Sequence, residues 1–259
     1  MKVPAHADDT QAREVLASLS KTDVNRYQKY FDTLMPESHT VMFQRALFAF
    51  ASVHTTWQSN VKMYAMLQGL TWLEDRKELM LRITESRAGL HVNRCKYIWE
   101  FSQKFWANPD WYWKQEYEDW FQYRDRIDKN TLGLGLAKSA FFIELTYLHK
   151  AQVPCFDVHM IKLFGLPNKK YAKSGASAPF MKWCEARWVH LCHDIGMSPV
   201  TARWLYWDQK QGKTDSRYWS HVLEGPLTDP LQSEPLLFPQ EDMVELVEIP
   251  KEGAKKRVA

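Results

Sequence analysis

The chain has 259 residues, 45% hydrophobic and 14% aromatic, with a formal net charge of +3. That length can bury a sizeable core as one large helical domain or as two small lobes around a cleft, and the small net charge means that any basic patch for nucleic acid must come from where the charges sit, not from their sum. No apolar run reaches the length of a membrane span and the N-terminus has no signal-like apolar region, so no membrane partner is expected and a soluble, cytoplasmic protein is.

Residues 1–8 read as a loose terminus, followed by helices over 10–19 and 22–34 with mixed faces. Residues 38–53 are strongly helical, with Val41, Met42, Ala46, Leu47 and Phe50 apolar near helix spacing. His54-Thr55-Thr56 interrupts the pattern, which resumes over 57–70 with Met63, Met66, Leu67 and Leu70. A short helix is expected over 77–85. The Ala88-Gly89 break then precedes a helix over 93–105 that carries basic Arg94, Lys96 and Lys104. Residues 106–120 are dense in aromatic rings, which either stack bases, worth roughly 1–3 kcal/mol each, or pack between helices, the commoner use of large rings. No stretch alternates apolar and polar residues, so an all-α fold is expected.

Residues 131–165 organise the rest. Gly133-Leu134-Gly135 forms a tight glycine turn between two helix-like segments, because glycine permits positive φ and close backbone approach. A helix is expected over 136–150 and is broken by Val153-Pro154-Cys155-Phe156. Asp157 then stands at the start of a short helix ending near Gly165. A carboxylate there is favoured as the anion by the helix dipole, and two readings stand: a catalytic carboxylate, or a structural N-cap. Residues 168–178 form a polar, basic loop, either touching a DNA backbone or solvated. Helices follow over 178–195 and, from the Ser198-Pro199 start, to about residue 210. From residue 224 the composition turns Pro-rich, giving a helical domain over 1–223 and an extended or disordered tail over 224–259. The four cysteines, Cys95, Cys155, Cys184 and Cys192, are too widely spaced for a disulfide framework or a zinc pair, so no metal or cofactor is expected.

Gly133, Leu134, Gly135, Asp157 and His159 match a pattern in which a Leu-Pro-Gly-Val-Gly hairpin is followed by Val-Asp-x-His. On these residues the chain resembles the helix-hairpin-helix DNA glycosylase superfamily. The glycine-then-basic helix start over 88–98 supports the resemblance, and Ser52-Val53-His54-Thr55-Thr56 is similar to the superfamily's Ser-x-Gln-x-Thr-like loop. The matches span roughly the middle half of the chain. Cys184 and Cys192 with His190 and His193 are too few and wrongly spaced for the iron–sulfur cluster that some glycosylases hold.

Within the superfamily, GLGLAKSAFF followed by CFDVHMIKLFGL looks like the phage amino acid:DNA transferases, also named α-glutamyl/putrescinyl thymine pyrophosphorylases. That resemblance implies two helical lobes around a DNA cleft. It also implies a monomeric enzyme that joins a free amino acid, with glycine our first choice, to an activated methylene on a modified pyrimidine in double-stranded DNA. Asp157, Lys138 and His54 are then the catalytic set; Gly133, Leu134, Gly135, Arg94 and Lys96 hold DNA; Trp57, His159 and Asn93 hold substrate. The alternatives are a monofunctional glycosylase and a non-catalytic DNA-binding protein. Bifunctional glycosylases carry a Schiff-base lysine two residues after the second hairpin glycine. Here that position is Ala137, and Lys138 comes one later. One residue turns a helix by roughly 100°, so Lys138 is expected to point away, toward a phosphate. Asp157 is expected to accept the ammonium proton of the incoming amino acid.

Overall fold

The computed structural model describes residues 8–53, 56–165 and 177–210. Among them every regular element is helical. Helices α1 (Thr10–Ser18), α2 (Lys21–Asp32), α3 (His39–Ala51), α4 (Trp57–Leu67), α5 (Arg76–Glu85) and α6 (His91–Ala107) come first. They are followed by α7 (Trp120–Asn130), α8 (Leu136–Tyr147), α9 (Val158–Lys162), α10 (Ser177–Asp194) and α11 (Pro199–Lys210). Polar side chains fix the starts: Ser20, Ser38, Thr56 and Asp75 each accept a backbone N–H of the turn they open, satisfying donors that a helix end otherwise leaves bare. Asp119 and Gln122 close a reciprocal capping box at α7. Ser198 Oγ accepts from Thr201 N at 3.3 Å, as the Ser-Pro start implies.

Helices α3 to α6 pack in succession, and α8 lies against both α3 and α7; α11 packs on α2 and α10, and α10 on α1. The two most apolar elements, α3 and α8, meet in the middle. Met42, Phe43 and Ala46 to Ala51 are buried on α3 and Ser139 to Thr146 on α8, nearly all the way round each helix, the pattern of a helix surrounded by others. One continuous core runs from Ala12 to Trp207 through both groups.

Three boundaries differ from expectation for backbone reasons. Helix α8 stops at Tyr147 rather than at 150, because Leu148 takes φ +49° and ψ −129° and leads into a single 3-10 turn. Helix α4 stops at Leu67, ahead of Leu70 at φ +43°. Helix α6 starts at His91, two residues early, straight after Gly89 at φ +74° and Leu90 at φ +50°.

Candidate active site

The hairpin is built by α7, a five-residue turn and α8. Gly133 sits at φ +94°, and a Cβ there would lie 2.6 Å from Tyr97 Cδ2 of α6. Its glycine is therefore required twice, by the turn and by the ring packed on it. Gly135 differs: its backbone is extended (φ −74°, ψ 178°) and a Cβ would meet nothing within 4 Å. It caps α8 from an exposed position, and Lys138 and Ser139 both donate to its carbonyl at 2.9 Å. Among the described residues no partner takes the N–H groups of Gly135, Leu136 and Ala137, which leaves a positive helix end open to an anion. Ser139 Oγ donates to Leu134 O at 3.2 Å and fixes the turn to the helix. Leu134 is buried, while Leu132 beside it is 50% exposed.

Asp157 closes the next turn of chain against this hairpin. Its Oδ1 accepts from His159 N at 2.9 Å and Met160 N at 3.1 Å, capping α9, and its Oδ2 accepts from Arg203 Nη2 of α11 at 3.0 Å. Behind it lies Glu144 of α8, fully buried. Glu144 Oε1 accepts from Cys155 N at 2.7 Å and Oε2 from Trp204 Nε1 at 3.2 Å, with Arg203 Nη1 3.4 Å away. Arg203 is 3% exposed and Asp157 21%. The aspartate is thus the member of the group that an incoming ligand reaches.

The charges follow from this layout. Burial alone would raise the Asp157 carboxyl; Arg203, His159, the Met160 N–H and Lys138 outweigh it and hold Asp157 below the usual carboxylate range. Burial pushes Glu144 up to about 7, against the pull of Arg203. Burial likewise draws the Lys138 ammonium below its usual range, opposed by Cys155 and Asp157, and pushes the Cys155 thiol up to about 12. Cys155 is therefore an inert buried thiol.

The structure places the Lys138 ammonium over Phe141, where it acts electrostatically on Asp157 without a hydrogen bond or ion pair to it among the described residues. The lysine is half-buried on the first turn of α8, with Nζ 5.2 Å over the Phe141 ring. Arg94 is corrected: it is buried, donates to Val53 O and, at 3.1 Å, to Met63 Sδ, and braces the end of α3. Asn93 and Lys96 stand exposed on the first turns of α6. His159 is buried edge-on to Trp207, with ring centroids 4.9 Å apart, so its ring packs behind the cap rather than lining an open surface. His54 lies outside the described residues, as do the Trp57 side chain, residues 166–176 and everything beyond 210, the tail over 224–259 included.

Sequence reasoning missed Glu144 and Arg203. Each is a lone charge in an apolar run, Phe142-Ile143-Glu144-Leu145 and Ala202-Arg203-Trp204-Leu205. Such residues are almost never fully buried unless paired, and that is the signal that would have linked them. Most of the 106–120 rings are packing: Tyr112 joins Phe101 and Phe105, and Trp111 lies 4.4 Å under Arg126. Trp106 and Tyr117 remain 39% and 81% exposed.

No family model and no curated protein sequence matches the chain. Solved structures do. The 8-oxoguanine DNA glycosylase of Thermotoga maritima is 16% identical, with 80% of this chain and 100% of that chain covered and a TM-score of 0.62. That of Methanocaldococcus jannaschii is 16% identical over 79% of this chain and 94% of that one, with a TM-score of 0.60. The Methanocaldococcus jannaschii 8-oxoguanine glycosylase/lyase, solved with a 15-mer DNA containing 8-oxoguanine, is 15% identical over 80% and 98%, with a TM-score of 0.59. The fold is that of the helix-hairpin-helix DNA glycosylases. At these identities the glycosylase likeness carries architecture, and the chemistry has to be argued from Asp157 and its neighbours.

Proposed function

We propose that the protein processes a modified pyrimidine extruded from duplex DNA, and that it joins an amino acid to the activated 5-methylene of that base. The observation that carries this reading is the carboxylate at the hairpin exit: Asp157 is part-exposed and held as an anion by Arg203 and the α9 N–H groups, and the Lys138 ammonium over Phe141 is lowered by burial. The target atom lies inside the base stack, so the nucleotide must be flipped to reach it; the hairpin N–H groups and Lys96 would hold the flanking phosphates. The C–O bond between the exocyclic methylene and its phosphate or pyrophosphate breaks, and the electron pair leaves with oxygen. Asp157 stabilises the positive charge that develops on the methylene carbon. The amino nitrogen of the amino acid forms the new C–N bond, and its proton passes to Lys138, whose ammonium burial draws below its usual range. A carboxylate held below its usual range is a poor proton acceptor, whereas an amine drawn toward neutrality is a suitable one. The proton-accepting role first assigned to Asp157 thereby passes to Lys138.

One observation favours a second reading. A depressed lysine on the turn that follows the hairpin also suits a glycosylase, in which the C1′–N bond breaks with its electron pair leaving on the base, Asp157 stabilises the sugar cation and the Lys138 amine attacks C1′. A single experiment separates them. Duplex DNA containing 5-phosphomethyluracil is incubated with mixed amino acids, glycine included, and the nucleosides are weighed by mass spectrometry. Transfer gives an intact strand and a heavier nucleoside. Alkali-labile strands without any amino acid, or a protein–DNA adduct trapped by borohydride, would replace transfer with excision; no product on any modified substrate would leave a DNA-binding module.

A further inference from the structure

We propose that Arg203 and Glu144 are the positioning pair of this site: Arg203 fixes the plane and the charge of Asp157, and Glu144 fixes Arg203. The inference rests on the reading of Asp157 as the reacting carboxylate, and it adds two residues to which no part of that reading assigns a role.

The geometry is a closed circuit through three parts of the chain. Starting on α8, Glu144 Oε1 takes the Cys155 N–H, two residues before Asp157, at 2.7 Å. Its Oε2 takes Trp204 Nε1 at 3.2 Å and lies 3.4 Å from Arg203 Nη1 on α11. Arg203 then returns to Asp157 Oδ2 at 3.0 Å through its other nitrogen. One carboxylate therefore anchors both the backbone leading into Asp157 and the guanidinium that holds its side chain. Arg203 is clamped between rings as well, with Cζ 5.7 Å from the Phe141 centroid and 5.6 Å from that of Trp207. Arg203 is thus hydrogen-bonded to Asp157 through Nη2 and held toward Glu144 by charge, with Nη1 at 3.4 Å and neither Nη1 nor Nε hydrogen-bonded among the described residues, so the ion pair and the two rings together restrict its plane. With Oδ1 committed to the two N–H groups of α9 and one direction on Oδ2 committed to Arg203, the remaining lone pairs of Oδ2 are the part of Asp157 left to face a substrate.

The groups that act electrostatically on Asp157, or on which it acts, are Arg203 and Tyr206 from α11, Lys138 and Glu144 from α8, Cys155 from the segment before it, and His159 from α9. Of these Arg203 is the direct ion-pair partner. A structural strut and a positioning device are told apart by what happens to the titration of Asp157. A neighbouring arginine ordinarily lowers a carboxyl by about one to three pH units, and its loss must return that amount.

The test uses the full chain with aspartate labelled at Cγ, the Asp157 resonance being assigned with Asp157→Asn. Arg203→Gln should move the Asp157 titration upward by about one to three pH units, and should raise with it the pH below which the single-turnover rate falls more steeply than loss of the Lys138 base alone would make it. Arg203→Lys, which keeps the charge and loses the fork, should recover part of the shift and little of the rate. Where Arg203→Gln does not fold, the double variant Arg203→Gln/Glu144→Gln removes one charge of each sign and keeps an acceptor for Cys155 N–H; the same upward shift is expected. Unchanged Asp157 titration in a folded variant would overturn the positioning role, whatever the activity. A shifted titration with no accompanying shift in the rate profile would leave the pair as described and overturn Asp157 as the reacting group.

Discussion

Two buried clusters in this molecule carry the same four charges. Glu144 and Arg203 are joined to Asp157, with Lys138 alongside; Glu185 and Arg124 are joined to Asp125, with Lys182 alongside. In both, burial pushes the glutamate up to about 7 in spite of its arginine. They differ at the lysine. Lys182 closes an ion pair on Asp125, so that cluster is complete and ties α7 to α10. Between Lys138 and Asp157 no hydrogen bond or ion pair forms among the described residues; the ammonium rests over Phe141 instead. Closure makes a strut. Held apart at the hairpin exit, the same four charges leave one carboxylate and one amine available to a third party.

The largest effect should come from removing the open base. Lys138→Gln is expected to cost about 10² to 10⁴ in single-turnover rate, the usual scale of a proton-transfer group, with DNA affinity largely kept. In the wild-type protein the rate should rise with pH as Lys138 loses its proton. It should level off below the 10.5 of an ordinary lysine, because the group is depressed. A rate that falls over the same range would assign Lys138 to the leaving phosphate instead.

Breaking the strut should do the opposite. Arg124→Met strands Glu185 in the core and should cost roughly 3–5 kcal/mol of stability, read by urea unfolding, while turnover per folded molecule stays unchanged. The cost should also depend on pH. A glutamate raised to about 7 from an ordinary 4.5 contributes stability that is complete below the lower value and lost as pH rises through the higher one. Glu185→Gln should therefore flatten the decline in stability across that window. A loss of turnover in either variant would erase the distinction between the two clusters.

Much of this was legible in the sequence. Helix content, the hairpin, Asp157 as a cap and the Ser198-Pro199 start all follow from local pattern, because each is set by a few adjacent residues. The capping box at Asp119 and Gln122 was equally readable and was passed over in favour of the aromatic density around it. What was not legible is how side chains meet across sequence. The pairing of Glu144 with Arg203 spans 59 positions of chain and has no local mark beyond a lone charge among apolar residues. Arg94 looked like a phosphate ligand because basic residues usually face water; its burial comes from α3 ending above it.

The two hairpin glycines give a smaller contrast of the same kind. Gly133→Ala meets both positive φ and the Tyr97 ring, and should cost about 1–3 kcal/mol in stability. Gly135→Asp has room for its side chain and should leave stability nearly intact. It places a negative charge at the open end of α8, so DNA affinity should fall on all sequences alike, together with its salt dependence. Equal effects of the two on stability would mean that the second glycine also serves the turn.

The transfer of proton acceptance from Asp157 to Lys138 is best tested by the pH profile of Asp157→Asn. Asparagine still caps α9, so fold and DNA affinity should persist. Turnover should drop by about 10² to 10³ through loss of charge stabilisation, and by the same factor from about pH 6 to about pH 9, because no proton is taken up by Asp157 in the wild type. Recovery of the variant as pH rises would contradict the account and restore Asp157 as the proton acceptor; normal turnover at every pH would reduce it to a helix cap.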